Sequence, residues 1–572
     1  MPHATRPSHE LCLLAAAAGC LAVAPAASAQ LKPENVLVVY DSRISTSLTV
    51  AEYYAGSAAV AGGVGGRPGT RAGVRTVNLQ TLGTTAQTAA TIDRGAFNAQ
   101  IRNPLRQWLT ANDPAGTIRV LVTTKGLPHR IENVGSPSVG DTPAAAGDFY
   151  SNGNYNCAAL DSELTLLWQN LETGETGGNV DSKLDGFVLN PYWKQTLPIT
   201  GWLTTNRTAA KTWLTPATNP TSNIGEMWSA LVVNPRLAAT PAQLTPGDMY
   251  LVCRLDGNTI ANVQAMLDRA AGTTAGASAA PGAGIATNCN TAGFVLDESG
   301  SDGSQTALNG NANEYDNQTY DIVSNGDDYE QTRDQLVTDR RFLSTNIKYD
   351  ASSNAASFQV GALVSYGGQG RIIDTLAAPL PVILLAHYGA NHLGTAPGDG
   401  VSGSPNPRTT YASSFTYAPA AVFNSLESYN GRSFGGIGPG SVAQQQLADF
   451  IGAGGTFGIG NVYEPFTITI PDNALIVRNF HTGNLTWAEA AYTAMPALSF
   501  QQIVIGDPLA RIIRNTEDRD GDTRVSIDDL FIWNASPVDI NRTGGVGNDA
   551  DRRFVEDAAR ATRDADMRGT QR

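Results

Sequence analysis

Between residues 35 and 512, short runs of aliphatic and β-branched residues alternate with segments of helical character, which limits the folds open to the chain. The first run, Val36-Leu37-Val38-Val39-Tyr40, is followed by a helix expected over residues 47–56. A helix at 97–110 leads into a strand at 118–123, and a strand at 249–255 turns at Asp256-Gly257 into a helix at 258–271. Further strands are expected at 294–296, 360–364, 382–386, 421–425 and 502–505. Strands that are apolar almost throughout must be covered on both faces, and helices between them make crossover connections. The expected fold is therefore α/β, a mostly parallel sheet with helices on both faces. Ligands bind such folds at the carboxyl ends of the strands. That rule points to Asp41, Ser42, Lys125, Arg254, Asp256, Asp297, Glu298, His387 and Asp507.

The same region carries a series of short motifs. In order they are Val38-Val39-Tyr40, Thr124-Lys125-Gly126-Leu127-Pro128, Asp161-Ser162-Glu163-Leu164, Arg254-Leu255-Asp256-Gly257, Gly460-Asn461-Val462-Tyr463-Glu464-Pro465 and Gly506-Asp507-Pro508-Leu509. Together they resemble a family of uncharacterised secreted bacterial proteins, from which no activity carries over. The closing Gly-Asp-Pro-Leu and the Gly-rich strand before it also resemble, at a distance, gingipain-like cysteine peptidases of caspase-like fold. That resemblance implies a His after one strand and a Cys after the next. Here His387 follows the strand at 382–386, but the strand at 421–425 continues into Leu426-Glu427-Ser428 without a Cys. Ser425 or Ser428 could replace the thiol only with a positioned base and an oxyanion hole. The simpler readings are a structural loop histidine, an Arg254–Asp256 pair on one strand face and a turn-forming Asp507 before Pro508. Gly367-Gly368-Gln369-Gly370 lacks the spacing of a dinucleotide loop.

The amino terminus reads as an export signal, residues 1–29. Arg6 lies between His3 and His9, an apolar run covers residues 11–24, and Ala27-Ser28-Ala29 precedes Gln30. Pro25 closes the apolar run too early for a bilayer span, and no later segment is apolar enough for one. Cleavage leaves Cys157, Cys253 and Cys289, from which the expectation is one disulfide and one idle thiol. With 52 acidic against 38 basic residues and no Lys/Arg-rich run, a nucleic-acid partner is excluded.

Two acidic segments remain. Residues 297–330 hold many Asp and Glu and no Lys or Arg, and read as a solvated insertion, with a calcium loop the alternative. Residues 513–572 are more specific. Asp518, Asp520 and Asp522 stand at positions 1, 3 and 5 of a twelve-residue loop, with the Arg524 carbonyl at 7, Ser526 at 9 and Asp529 at 12. Alternating oxygen donors on a tight loop replace the hydration shell of calcium. Val525, at position 8, is expected to dock against a paired loop. In the second copy Asp539, Asn541 and Thr543 take positions 1, 3 and 5, but position 12 is Ala550, with Asp549 and Asp551 beside it. Short helices are expected at 530–533 and 554–559. The pair resembles a dockerin module, and that resemblance implies calcium as cofactor and a cohesin-like or cell-surface protein as partner, often in glycan degradation.

The favoured reading is a secreted calcium-binding protein whose tail, residues 513–572, attaches a body of unassigned activity, residues 30–512, to an extracellular assembly or cell surface. The alternatives are a hydrolase, using His387 with Ser425 or Ser428 or delivered to polysaccharide by its tail, and a purely structural envelope protein.

Overall fold

The computed structural model describes residues 30–132, 157–169, 188–202, 207, 244–273, 279, 284–285, 292–297, 329–338, 346–350, 381–388, 415–426, 429–435, 447–463, 470–483, 485–512, 517, 519, 525–540 and 547–570. In chain order its strands are β1 (Val36–Tyr40), β2 (Arg75–Asn78), β3 (Thr91–Ile92), β4 (Val120–Thr124) and β5 (Arg130–Glu132). Then come β6 (Cys157–Ala159), β7 (Val188–Leu189), β8 (Leu251–Leu255), β9 (Gly293–Asp297) and β10 (Ile347–Asp350). The last five are β11 (Val382–Tyr388), β12 (Tyr417–Leu426), β13 (Phe457–Asn461), β14 (Ala497–Leu498) and β15 (Gln502–Ile505).

Ten strands form one sheet in the order β10-β9-β11-β12-β13-β15-β8-β4-β1-β2. Neighbours from β10 to β13 pair in parallel, as do β8, β4, β1 and β2. β15 joins the two groups. It runs antiparallel to β13 and meets β8 at the single pair Ile505–Arg254. The protein is an α/β fold built on a large, mostly parallel sheet.

The largely apolar character of the central strands has the expected cause. In β1, Val36, Val38 and Tyr40 enter one buried cluster and Leu37 and Val39 another, so both faces are covered. The helices Ser45–Ala55 and Ile260–Ala271 follow β1 and β8. Thr259 caps the second, and Gly272 ends it in the left-handed conformation.

Three elements escape the apolar pattern. β13 reads Phe-Gly-Ile-Gly-Asn, and glycine weakens a strand signal. A Cβ at Gly458 would stand 2.3 Å from the Leu447 side chain and 3.0 Å from the Phe423 carbonyl, so the helix Leu447–Gly452 packs where only glycine fits. β2 is a half-exposed edge strand, Arg-Thr-Val-Asn. The helix Trp487–Ala494 is buried at all eight positions and so lacks an amphipathic stripe. The strand expected at 360–364 lies outside the described residues.

The tail has its own small core of Val525, Trp533, Ile540, Val555 and Ala558. Val525 is buried in this core together with Ile540 of the second segment. The helices are longer than expected: Ile527–Ala535 and the 22-residue Asp549–Thr570. The first half of the second helix carries the pairs Arg552–Glu556 at 2.5 Å and Arg560–Asp557 at 3.2 Å.

Candidate functional site

Three of the sequence motifs meet at the carboxyl ends of β4 and β8. Arg254 is fully buried near the end of β8 and uses all five of its N–H donors. Its Nε donates to Asp161 Oδ2 at 2.6 Å and Nη2 to Asp161 Oδ1 at 3.1 Å. Nη2 also donates to the Pro128 carbonyl at 2.6 Å, and Nη1 to the Leu127 carbonyl at 3.1 Å and Asp256 Oδ2 at 3.4 Å. The expected Arg254–Asp256 pair therefore exists, but Asp161 is the principal partner. Lys125 Nζ reaches Asp256 Oδ1 at 3.1 Å and the Gly257 carbonyl at 2.6 Å. Burial raises the Asp256 carboxyl, and Lys125 and Arg254 oppose that shift.

The helix Leu160–Thr165 supplies Asp161 and two further buried ties. Ser162 Oγ accepts from Phe500 N at 2.9 Å, and Glu163 pairs with Arg94 at 2.6 Å and accepts from Ser499 Oγ. The loop 429–435 links these groups to the end of β13. Gly431 N donates to the Asn461 carbonyl at 2.9 Å, and the Arg432 carbonyl lies 2.7 Å from His129 Nε2. Gly435 N donates to Asn258 Oδ1 at 3.1 Å. Burial, with Arg254 second, holds His129 well below the usual imidazole range.

Gly-Asp-Pro-Leu is scaffold as well. Gly506 has φ +128°, and a Cβ there would lie 2.5 Å from the Phe457 ring. Asp507, fully buried, accepts from Tyr54 Oη at 2.7 Å, Arg71 Nε at 2.6 Å and Leu509 N at 3.0 Å. It forms the expected turn and also ties the end of β15 to the helix Ser45–Ala55. Cys253 is a free, fully buried thiol, which takes it out of the expected disulfide. Burial, with Asp507 and then Asp161 nearby, raises that thiol well above its usual range, so it stays protonated and is no nucleophile. The Cys157 and Cys289 side chains lie outside the described residues.

His387 and Ser425 do come together. They are direct register partners near the carboxyl ends of β11 and β12. On its other side His387 is the register partner of Asp297, the last residue of β9. Ser425 is 1% exposed. Ser428, Glu298, Glu464 and Pro465 lie outside the described residues, as does nearly all of the acidic stretch 297–330.

In the tail, Asp518, Asp520, Asp522, Arg524, Asn541 and Thr543 lie outside the described residues, whereas Ser526, Asp529 and Asp539 are described. Asp529 Oδ1 accepts from Arg519 N at 2.5 Å, and Oδ2 from Ser526 N at 2.7 Å. Ser526 Oγ in turn accepts from Asp528 N at 3.0 Å, capping the helix Ile527–Ala535. The second segment repeats this set. Asp551 Oδ1 accepts from Ile540 N and Oδ2 from Asn548 N, both at 2.8 Å, and Asn548 Oδ1 accepts from Ala550 N at 2.8 Å. Asp551 is therefore the counterpart of Asp529, and the second loop is one residue longer than the first. Ala550, which twelve-residue spacing puts at the closing position, is displaced by that insertion. Both closing carboxylates are fully buried.

Among the described residues, no group of three or more His, Cys, Asp or Glu side chains is placed to hold a metal ion. No helix among them is long and apolar enough to cross a membrane. Comparisons with protein families, with curated proteins and with solved structures find no match for this chain.

Proposed function

We propose that the protein is exported and that its tail is a dockerin-like, calcium-binding pair of loops that attaches the α/β body to a cohesin-like or surface protein. The observation that carries this reading is the duplicated construction around Asp529 and Asp551: each closes a loop onto a capped helix with the same pair of backbone hydrogen bonds. The donor chemistry fits the ion. Asp518, Asp520, Asp522, Ser526 and Asp529 in the first loop, with Asp539, Asn541 and Asp551 in the second, offer the hard oxygen ligands that calcium takes. Bound calcium would hold these carboxylates together and order the loops. The protein's own part is to bring the donors onto two loops that share one small core.

Attachment is supported by the surface of the first tail helix. Ile527 is 57% exposed and Phe531 66%, with Ile532 beside them. Half of the six exposed large apolar side chains among the described residues thus fall within six positions of one helix. Such clustering marks an interaction face. Export is supported by the charge and apolar pattern of residues 1–29.

The test is calorimetric titration of calcium into the EGTA-treated full chain. Saturable binding is expected, with stoichiometry lowered by Asp529→Ala. Capture by an immobilised cohesin domain in calcium, lost in EGTA and in an Ile527→Asp/Phe531→Asp variant, is expected for attachment. Absence of calcium binding by the full chain refutes the reading.

A further inference from the structure

We propose that the loops leaving β4, β12 and β13 form a binding site for a carboxylate carried on a ring, in which Arg130 holds the carboxylate and Tyr429 the ring. The first observation is an arginine that lacks an acceptor. Arg130 is half-buried at the start of β5 and makes no ion pair among the described residues. Its Nε is shielded from solvent yet donates no hydrogen bond. A buried donor left unbonded is costly to a folded chain, and an acceptor arriving with a ligand removes that cost. Arginine meets a carboxylate through two parallel N–H bonds, and the edge that carries Nε supplies such a pair.

The second observation is what surrounds that arginine. The guanidinium lies 5.8 Å from the centre of the Tyr463 ring, which meets the Tyr429 ring edge-on at 6.4 Å and 81°. The Arg432 guanidinium stands 5.9 Å from the Tyr429 ring. The three loops are tied to one another. Tyr429 N donates to the Tyr463 carbonyl at 3.0 Å, and His129 Nε2, next to Arg130, is 2.7 Å from the Arg432 carbonyl. Tyr463 is 6% exposed and forms an inner wall, whereas Tyr429 and Arg432 are half-buried and reach the surface. Tyr429 is held at φ +59°, an outlier for an aromatic residue, and backbone strain of this kind gathers at functional sites. Asp161 and Asp256, the carboxylates of the neighbouring cluster, are already paired with Arg254 and Lys125.

The two kinds of group select the ligand together. A guanidinium takes a carboxylate, and an aromatic ring takes the C–H face of a saturated ring or the edge or face of another aromatic one. A carboxylate without a ring leaves Tyr429 unused, and a neutral ring leaves Arg130 without its acceptor. The class is therefore a ring-borne carboxylate, which a uronic acid unit of an acidic polysaccharide and a small aromatic acid both carry. The site lies wholly in the α/β body and does not depend on the reading of the tail.

The experiment is calorimetric titration of the full-length protein with trigalacturonate, for the sugar source, and 4-hydroxybenzoate, for the aromatic one. Acetate and the methyl ester of each probe are titrated beside them. Saturable binding of at least one probe is expected, and which one binds names the source. Its methyl ester and acetate should bind more weakly by about tenfold or more. Arg130→Gln should weaken binding by about ten- to a hundredfold, the range of a hydrogen bond to a charged group. Arg130→Lys keeps the charge but not the fork and should recover only part of the loss. Tyr429→Asn removes the ring, tolerates the left-handed backbone and should weaken binding, whereas Tyr429→Phe should match the parent. Saturation-transfer NMR on the unaltered protein should mark the ring C–H protons of the bound probe, a readout that needs no variant to fold. Ile527→Asp/Phe531→Asp should leave this binding unchanged. Binding of neither probe, acetate binding as tightly as the ring acids, or an unchanged affinity in a folded Arg130→Gln variant overturns the proposal.

Discussion

Replacing Arg254 by Met tests whether the motif cluster at the carboxyl ends of β4 and β8 is scaffold. The guanidinium is fully buried and its five donors meet Asp161 twice, Asp256 once and the carbonyls of Leu127 and Pro128. Methionine fills much of the same volume but leaves a buried carboxylate, Asp161, with only Thr123 Oγ1, at 2.8 Å, as a hydrogen-bond partner among the described residues. Two buried carbonyls lose their donor as well. Removing one partner of a buried ion pair costs about 3–5 kcal/mol, because the remaining charge stays desolvated. Each orphaned carbonyl adds up to about 1–3 kcal/mol before relaxation. The expected loss is therefore at least about 3 kcal/mol. The assay is urea unfolding of the full chain followed by near-ultraviolet dichroism, with the midpoint shift converted through an unchanged slope. Asp161→Asn should cost a similar amount, and the double variant should cost less than the sum by about 2 kcal/mol, since one interaction cannot be lost twice. A loss below about 1 kcal/mol, or strict additivity, refutes the account.

Gly506→Ala should lower stability by at least about 2 kcal/mol, because it combines a φ of +128° with a 2.5 Å approach to Phe457; a thermal melt equal to the parent's contradicts this. His129 is held well below its ordinary value of 6.5, so below that pH the unfolded chain takes up the proton and the folded one does not. Stability is fully present above about pH 6.5 and should fall by about 1 kcal/mol between pH 6.5 and 5.5, a slope that His129→Gln flattens in pH-resolved unfolding. In calcium calorimetry, Asp551→Ala should remove one site, whereas Ala550→Ser should leave both; the opposite pattern would place the closing position of the second loop at residue 550.

The parallel sheet was legible because burial on both faces demands apolar residues at nearly every position of β1, β4 and β8, Thr123, Thr124 and Arg254 being the polar exceptions, and that demand is written locally. The capped helix that starts after Ser526 was legible in part for a similar reason: Ser526 and Asp529, which bond to the backbone at its start, lie three residues apart. β13 was not legible, because its glycines answer to Leu447 and Phe423, which come from other elements. Asp551 was missed because counting along the chain takes no account of a one-residue insertion, whereas backbone bonding to Ile540 and Asn548 absorbs it.

The chain alone determined the α/β class and the spacing of the tail's oxygen-bearing residues, since each depends on neighbours in sequence. Only the folded arrangement decided that Arg254 pairs chiefly with Asp161, that Cys253 is sealed in the core, and that Asp297, His387 and Ser425 share one line. Those facts depend on strand order and register, which arise from the packing of distant segments and leave no periodic trace in any one of them.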